Sequence, residues 1–193
     1  MNILTRRLPD FIEIEGVRYG IRTDFRVWIE FETVALDFTL EDVKKAAGMI
    51  GLCYLEDQLP PKFSIAMEEA MRFYAGPKLQ EKRSLQSEEK ARAAVYSFVH
   101  DAEYIYSAFY TQYGIDLQEE KLHWWQFLAL FKGLGEENQI VKMMGYRGMD
   151  LSKIKDKEQR KHYRELQSLY RLPDMRSEEQ KERDMMKNLE KLF

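Results

Sequence analysis

The segment Leu122-His123-Trp124-Trp125-Gln126-Phe127-Leu128-Ala129-Leu130-Phe131, followed by Gly133-Leu134, constrains this chain most. It holds two of the three tryptophans, and large rings at helical spacing must be covered by something. At ~100° per residue, Leu130, Leu134, Phe127, Phe131, Trp124 and Leu128 fill one continuous arc. Gln126, Ala129 and Gly133 form the opposite side. The pattern predicts a helix over residues 122–134 with Trp124 in the core. Trp125 falls outside the arc, beside Lys132, and is expected on the surface as a partner contact.

The N-terminal part alternates instead. Phe11 to Glu15, Gly16 and Val17 to Arg22 read as a short β-hairpin with Ile12 and Ile14 on one face. Two strands are marginal alone, so the hairpin must lean on a helix. Thr23-Asp24 can cap a helix with Phe25, Val27, Trp28, Ile29, Phe31 and Leu36, apolar on most sides and therefore central. Thr39 with Asp42 resembles a capping box for a helix carrying Leu40, Val43, Ala46, Ala47, Ile50 and Leu52, before Pro60-Pro61 breaks the chain. Ser64 can cap a helix holding Ile65, Met67, Ala70, Met71, Phe73 and Tyr74, ended by Gly76-Pro77.

Residues 78–92 are dense in charged and polar types, an exposed loop or the start of a solvated helix, and the place for a boundary if there are two lobes. A helix over Ala94 to Tyr113 follows, broken at His100-Asp101, with Asp101 as an N-cap and Gly114 as the stop. Beyond the tryptophans come a short helix over Glu137 to Met144 stopped by Gly145, a turn at Tyr146-Arg147-Gly148, and a charged helix from Asp150 or Ser152 that Pro173 ends. Ser177 with Gln180 opens a last helix that is polar through Asp184, after which Met185, Met186, Leu189, Leu192 and Phe193 form an apolar face. The expected architecture is mainly α: a single helical, bundle-like domain over residues 1–172 with a short N-terminal β-hairpin, and a C-terminal helix over 173–193 that projects or docks on another chain.

Catalytic signals are missing from this pattern. His100, His123 and His162 form no metal-ligand spacing, and His123 reads as a hydrogen-bonded core histidine. His100 and Asp101 are adjacent, so on a helix they do not face each other. Nucleophile-elbow and phosphate-loop motifs do not occur. Cys53 is the one cysteine, in an apolar setting that suits an inert thiol. No catalytic residue, metal or cofactor is expected. A net charge of −3 does not favour nucleic acid, and Asp156, Glu158 and Glu165 interrupt the basic run Lys153, Lys155, Lys157, Arg160, Lys161, Arg164. Apolar runs stay far below the ~18 residues of a membrane helix, and Met1 to Arg7 is no signal peptide, so a soluble intracellular protein is expected. Tyr146-Arg147 is either an exposed recognition point or an arginine tying helix ends to carbonyls, the second being favoured. Ten methionines and an off-arc tryptophan point to protein–protein contact, against the plainer reading of a monomer with methionine-filled core gaps.

Three segments carry a resemblance: Phe11 to Arg26 with its Thr23-Asp24-Phe25-Arg26 end; Asp101-Ala102-Glu103-Tyr104-Ile105-Tyr106 running to Tyr113-Gly114-Ile115-Asp116-Leu117; and Leu122 to Phe127 with Gly145-Tyr146-Arg147 and Asp150 to Lys155. Together they resemble the bacteriophage family named after gene product fifteen of a Listeria phage, over nearly the whole chain and best from Asp101 to Leu172. The resemblance implies a gene in the tail cluster just upstream of the tape measure protein, the usual place of a tail assembly chaperone. Such a protein would keep the tape measure protein soluble in the bacterial host cytoplasm and yield to tail-tube subunits. It implies no catalytic residues. The tape measure protein, and with it the tail-tube protein, are the implied partners; a homo-oligomer stays open. Trp125, Tyr146 and the Met185, Met186, Leu189, Leu192, Phe193 face are the candidate contacts. The rival readings are a structural minor tail or tail-completion protein of the virion and, disfavoured, a nucleic-acid-binding protein or metal-dependent enzyme using His100, Asp101, His123 or the basic helix.

Overall fold

Strands β1 (Phe11–Ile14) and β2 (Val17–Gly20) pair antiparallel, Ile14 opposite Val17 and Phe11 opposite Gly20. The register leaves a two-residue loop, Glu15-Gly16, with φ of 52° and 81°. Positive φ at both positions gives the turn twist that matches a right-handed hairpin, and glycine takes the second place without strain. Ile12 and Ile14 are buried toward the helix Phe63–Ala75, as the alternation requires, and Lys62 closes on Glu15 at 2.6 Å. This computed structural model describes residues 3–77, 94–174 and Met186.

The hairpin leads into helices α1 (Phe25–Leu36), α2 (Asp42–Cys53) and α3 (Phe63–Ala75). After the undescribed stretch come α4 (Ala102–Tyr113), α5 (Trp124–Lys132), α6 (Gln139–Gly148), a 3-10 turn (Leu151–Lys153) and α7 (Lys157–Leu169). The architecture is mainly α with a short N-terminal hairpin. α1 packs on α2 and α5; α4 packs on α5 and α6; α7 packs on α6.

Residues 21–24, between β2 and α1, join two helix ends. Ile21 bridges to Tyr54, and the Arg22 amide donates to Cys53 O at 2.7 Å. The Arg22 guanidinium donates to Gly51 O, Leu52 O and Tyr54 O, satisfying the orphan carbonyls at the end of α2. One step on, the Trp124 amide donates to Thr23 O at 2.7 Å and the Phe25 amide to Leu122 O at 3.0 Å. One short segment thus seats both the C-terminus of α2 and the N-terminus of α5.

Several boundaries differ from the sequence expectations. Thr39 does not cap α2; it donates to the Asp37 carboxylate, and α2 starts after Glu41. Residues 94–101 are not regular helix, and α4 begins only after Asp101. Gly145 does not stop α6, which runs on to Gly148, so Tyr146 and Arg147 are helical rather than in a turn. An exposed mid-helix glycine costs only ~1 kcal/mol, and the bonds of Arg147 described below outweigh it. Asp150 caps the 3-10 turn, while Asp156, accepting from the Gln159 amide at 2.7 Å, caps α7. The proposed boundary at 78–92 and the C-terminal helix, with Met185, Leu189, Leu192 and Phe193, lie outside the described residues. Met186 is described: it is helical and 60% exposed.

Candidate partner-binding site

The tryptophan pair closes the end of α3. The Trp124 indole donates to Tyr74 O and the Trp125 indole to Phe73 O, each at 2.8 Å. Both carbonyls belong to the last turn of α3, and Phe73 O also accepts from the Gly76 amide at 3.1 Å. Trp124 is in the core, as its arc predicts. Trp125 is also buried, stacked on Phe73 with ring centroids 4.9 Å apart, so the expectation of an exposed Trp125 is overturned. The helix wheel places it correctly off the main arc; a second helix end, from fifty residues upstream, covers that side. Tyr146, the other described aromatic candidate, is half-buried and stacks on Tyr170 at 5.9 Å, in a ring cluster between α6 and α7. The two candidates therefore do not form one surface.

His123 is half-buried at the N-cap of α5. Its Nδ1 accepts from the Trp125 amide at 3.0 Å, so the ring is neutral and Nε2 donates to Pro9 O at 3.0 Å. Burial pushes its pKa below the ordinary imidazole value. The Gln126 side chain completes a capping box by accepting from the His123 amide. A proton or metal on Nδ1 would break this cap, and a metal on Nε2 would break the bond to Pro9 O. His100 is exposed, whereas the Asp101 carboxylate beside it is buried and bound to Arg147, so the two do not form an acid–base pair. The buried Cys53 thiol is pushed up to about 12 by desolvation. Among the described residues no cluster of metal-ligating side chains occurs, and no helix is long and apolar enough to cross a membrane.

Arg147 and Asp101 form a buried knot. The guanidinium meets the carboxylate through two bonds, 2.6 and 2.9 Å, and also donates to Val95 O and Tyr170 O. Asp101 further accepts from the Ser97 amide at 2.9 Å. Asp101 thus stands at the N-cap position of α4 without capping it; a bidentate charged partner outcompetes the helix amides.

An open apolar groove of about 400 Å3 lies between α1, α4 and the loop 115–120. α1 supplies Phe25 and Ile29, α4 supplies Ala102, Glu103, Ile105 and Tyr106, and the loop supplies Leu117 and Gln118, over Phe98 and Phe127. The stacked rings of Phe25 and Phe127, 4.7 Å apart and nearly parallel, give a rigid wall. Arg26 holds the loop: it lies over the Phe25 ring at 4.7 Å, pairs with Asp24 at 2.9 Å, and donates to Leu117 O, Gln118 O and Glu120 O. From the other side the Tyr106 hydroxyl donates to Asp116 at 3.1 Å, and Asp116 accepts from the Gln118 amide at 2.9 Å. Tyr110 stacks beside Tyr106 and is 57% exposed, extending the apolar strip outward. Concave, mostly apolar and fixed at both edges, this groove has the make-up of a binding site for an apolar segment. From sequence, Phe25 and Ile29 are expected on a central helix and Phe127 on an apolar arc, and none of the three marks a groove.

Two turns along α1 from Phe25, Glu32 accepts a hydrogen bond from the Tyr74 hydroxyl, and burial raises its carboxyl from 4.5 to about 7. An acid raised by folding contributes full stability below its unfolded pKa and loses it as pH rises through about 7. Glu32→Gln keeps an acceptor for Tyr74 but does not titrate. Because water reaches part of this side chain, the effect is taken as ~1 kcal/mol, or about 2–4 °C in a chain of this size. The variant should melt higher than wild type by that amount at pH 8 and lose most of the advantage at pH 5. Equal melting temperatures at pH 8 would contradict the cost of ionising Glu32.

The family model described as Bacteriophage Gp15 protein matches residues 4–172. No curated protein and no solved structure matches the chain. The groove, the tryptophan pair and the Arg147–Asp101 knot all lie within the matched residues. The chain belongs to the bacteriophage Gp15 family.

Proposed function

We propose that this phage protein serves tail assembly in the bacterial host cytoplasm, as a chaperone that binds the tape measure protein and keeps it soluble until tail-tube subunits polymerise around it. The role is one of protein–protein contact without catalysis. The observation that carries it is the groove: preformed, apolar and open at the surface of a domain whose other large rings are mostly spent on its own core. A groove of this kind takes apolar side chains from one face of a helix and releases them when a competing surface covers that face. A long helical tape measure chain offers such faces repeatedly, so several copies could bind one chain with modest affinity each.

Co-expression with the tape measure protein tests the reading. The expected result is a soluble complex with several copies of this protein per tape measure chain. An insoluble tape measure protein with no co-purification would contradict it, and recovery of this protein from mature particles would then favour a structural tail component.

A further inference from the structure

The groove is apolar inside and acidic at its rim. Glu103 lines it directly. Asp116 accepts the Tyr106 hydroxyl on its edge. Glu119 follows in the same loop, exposed, with its amide donating to Asp116 O at 3.2 Å. Among the described residues none of these three carboxylates is in an ion pair. Arg26 reaches the same wall, but its guanidinium is occupied by Asp24 and three loop carbonyls. The field at the mouth is therefore negative, with the cleft below it lined by rings and aliphatic groups.

We propose that this groove takes a basic amphipathic helix. Apolar side chains at i and i+3 or i+4 enter beside Ile29 and Tyr106, while lysine or arginine side chains on the flanks meet Glu103, Asp116 and Glu119. The inference rests on the chaperone reading and narrows it: the segments recognised in the partner are positively flanked, and neutral or acidic apolar segments are passed over. Each pair at the exposed rim contributes little, so selectivity between otherwise identical helices is about tenfold and falls with salt.

The test uses the full chain and two labelled four-turn peptides of leucine and alanine, alike except for lysine or glutamate on the flanks. Fluorescence anisotropy at low salt should show the lysine peptide binding about tenfold more tightly. Ile29→Asp, with an unchanged circular dichroism spectrum, should abolish binding of both. The surface double variant Glu103→Lys, Glu119→Lys should erase or invert the preference, and it keeps the test decisive if Ile29→Asp does not fold. Absent binding, equal binding of the two peptides, or a lysine preference that survives the double variant overturns the proposal. So does sedimentation showing a self-associated wild type and a monomeric Ile29→Asp, since a second copy would then fill the groove. Failure of tape measure capture with the lysine preference intact counts against the chaperone reading alone; capture undiminished by Ile29→Asp counts against the groove alone.

Discussion

Arg147→Ala is expected to destabilise the protein by about 3–5 kcal/mol, measured by urea unfolding, a large part of a typical domain's stability. Asp101 is 1% exposed and the Arg147 side chain 8%, so removing the arginine leaves a buried carboxylate with the Ser97 amide as its remaining partner. The same change frees Val95 O and Tyr170 O, and so loosens α6 from both the approach to α4 and the end of α7. The double variant Asp101→Leu, Arg147→Met should be less destabilised than Arg147→Ala, because no uncompensated charge stays inside. A cost under ~1 kcal/mol for Arg147→Ala would mean that water screens the pair as at a surface, contrary to the burial described here.

Trp125→Ala is expected to cost about 3–5 kcal/mol as well, for a different reason. The indole is 6% exposed, and its loss opens a cavity against Phe73 and leaves Phe73 O with the Gly76 amide as its remaining donor. Trp125→Phe should cost less, since a ring can still stack and Phe73 O keeps the Gly76 amide, so that the lost hydrogen bond costs about 0.5–1.5 kcal/mol. Thermal or chemical unfolding of both variants checks this. A near-neutral Trp125→Ala that impairs partner binding alone would restore the surface role read from the sequence. If the expected cost is found, Trp125→Ala cannot serve as a clean probe of partner contacts, and groove-rim variants are the better choice.

The contrast between Trp124 and Trp125 shows what the sequence can and cannot carry. Local rules sufficed for the hairpin, where Gly16 and the spacing of Ile12 and Ile14 fix turn and face. They sufficed for Gly114, which ends α4 in the left-handed region at φ 66°. They sufficed for Trp124, whose side of the helix is apolar in its own right. They failed for Trp125, because a helix wheel describes one helix in isolation and cannot show that the end of α3 arrives to cover a second face. Asp101 failed in the same way: capping is the best local use of an aspartate there, yet Arg147, forty-six residues on, binds it more strongly. Arg147 as a tie to backbone carbonyls was legible, since a lone guanidinium among apolar neighbours has few other ways to be satisfied. The groove was hidden for a geometric reason. Phe25 and Ile29 come from α1, Ile105 and Tyr106 from α4 and Leu117 from the loop after it, and nothing local to any of them marks a shared groove.

The most direct test of the central claim is co-expression of the tape measure protein with either the wild-type chain or Ile29→Asp. Ile29 is half-buried at the groove wall and belongs to neither the Arg147 knot nor the tryptophan pair. The soluble tape measure yield and the amount co-purified are read side by side, with circular dichroism confirming that the variant is folded. The account predicts abundant soluble complex with wild type and a loss of most of it with Ile29→Asp. Equal rescue by both proteins, or rescue by neither, would contradict a groove-based tail chaperone.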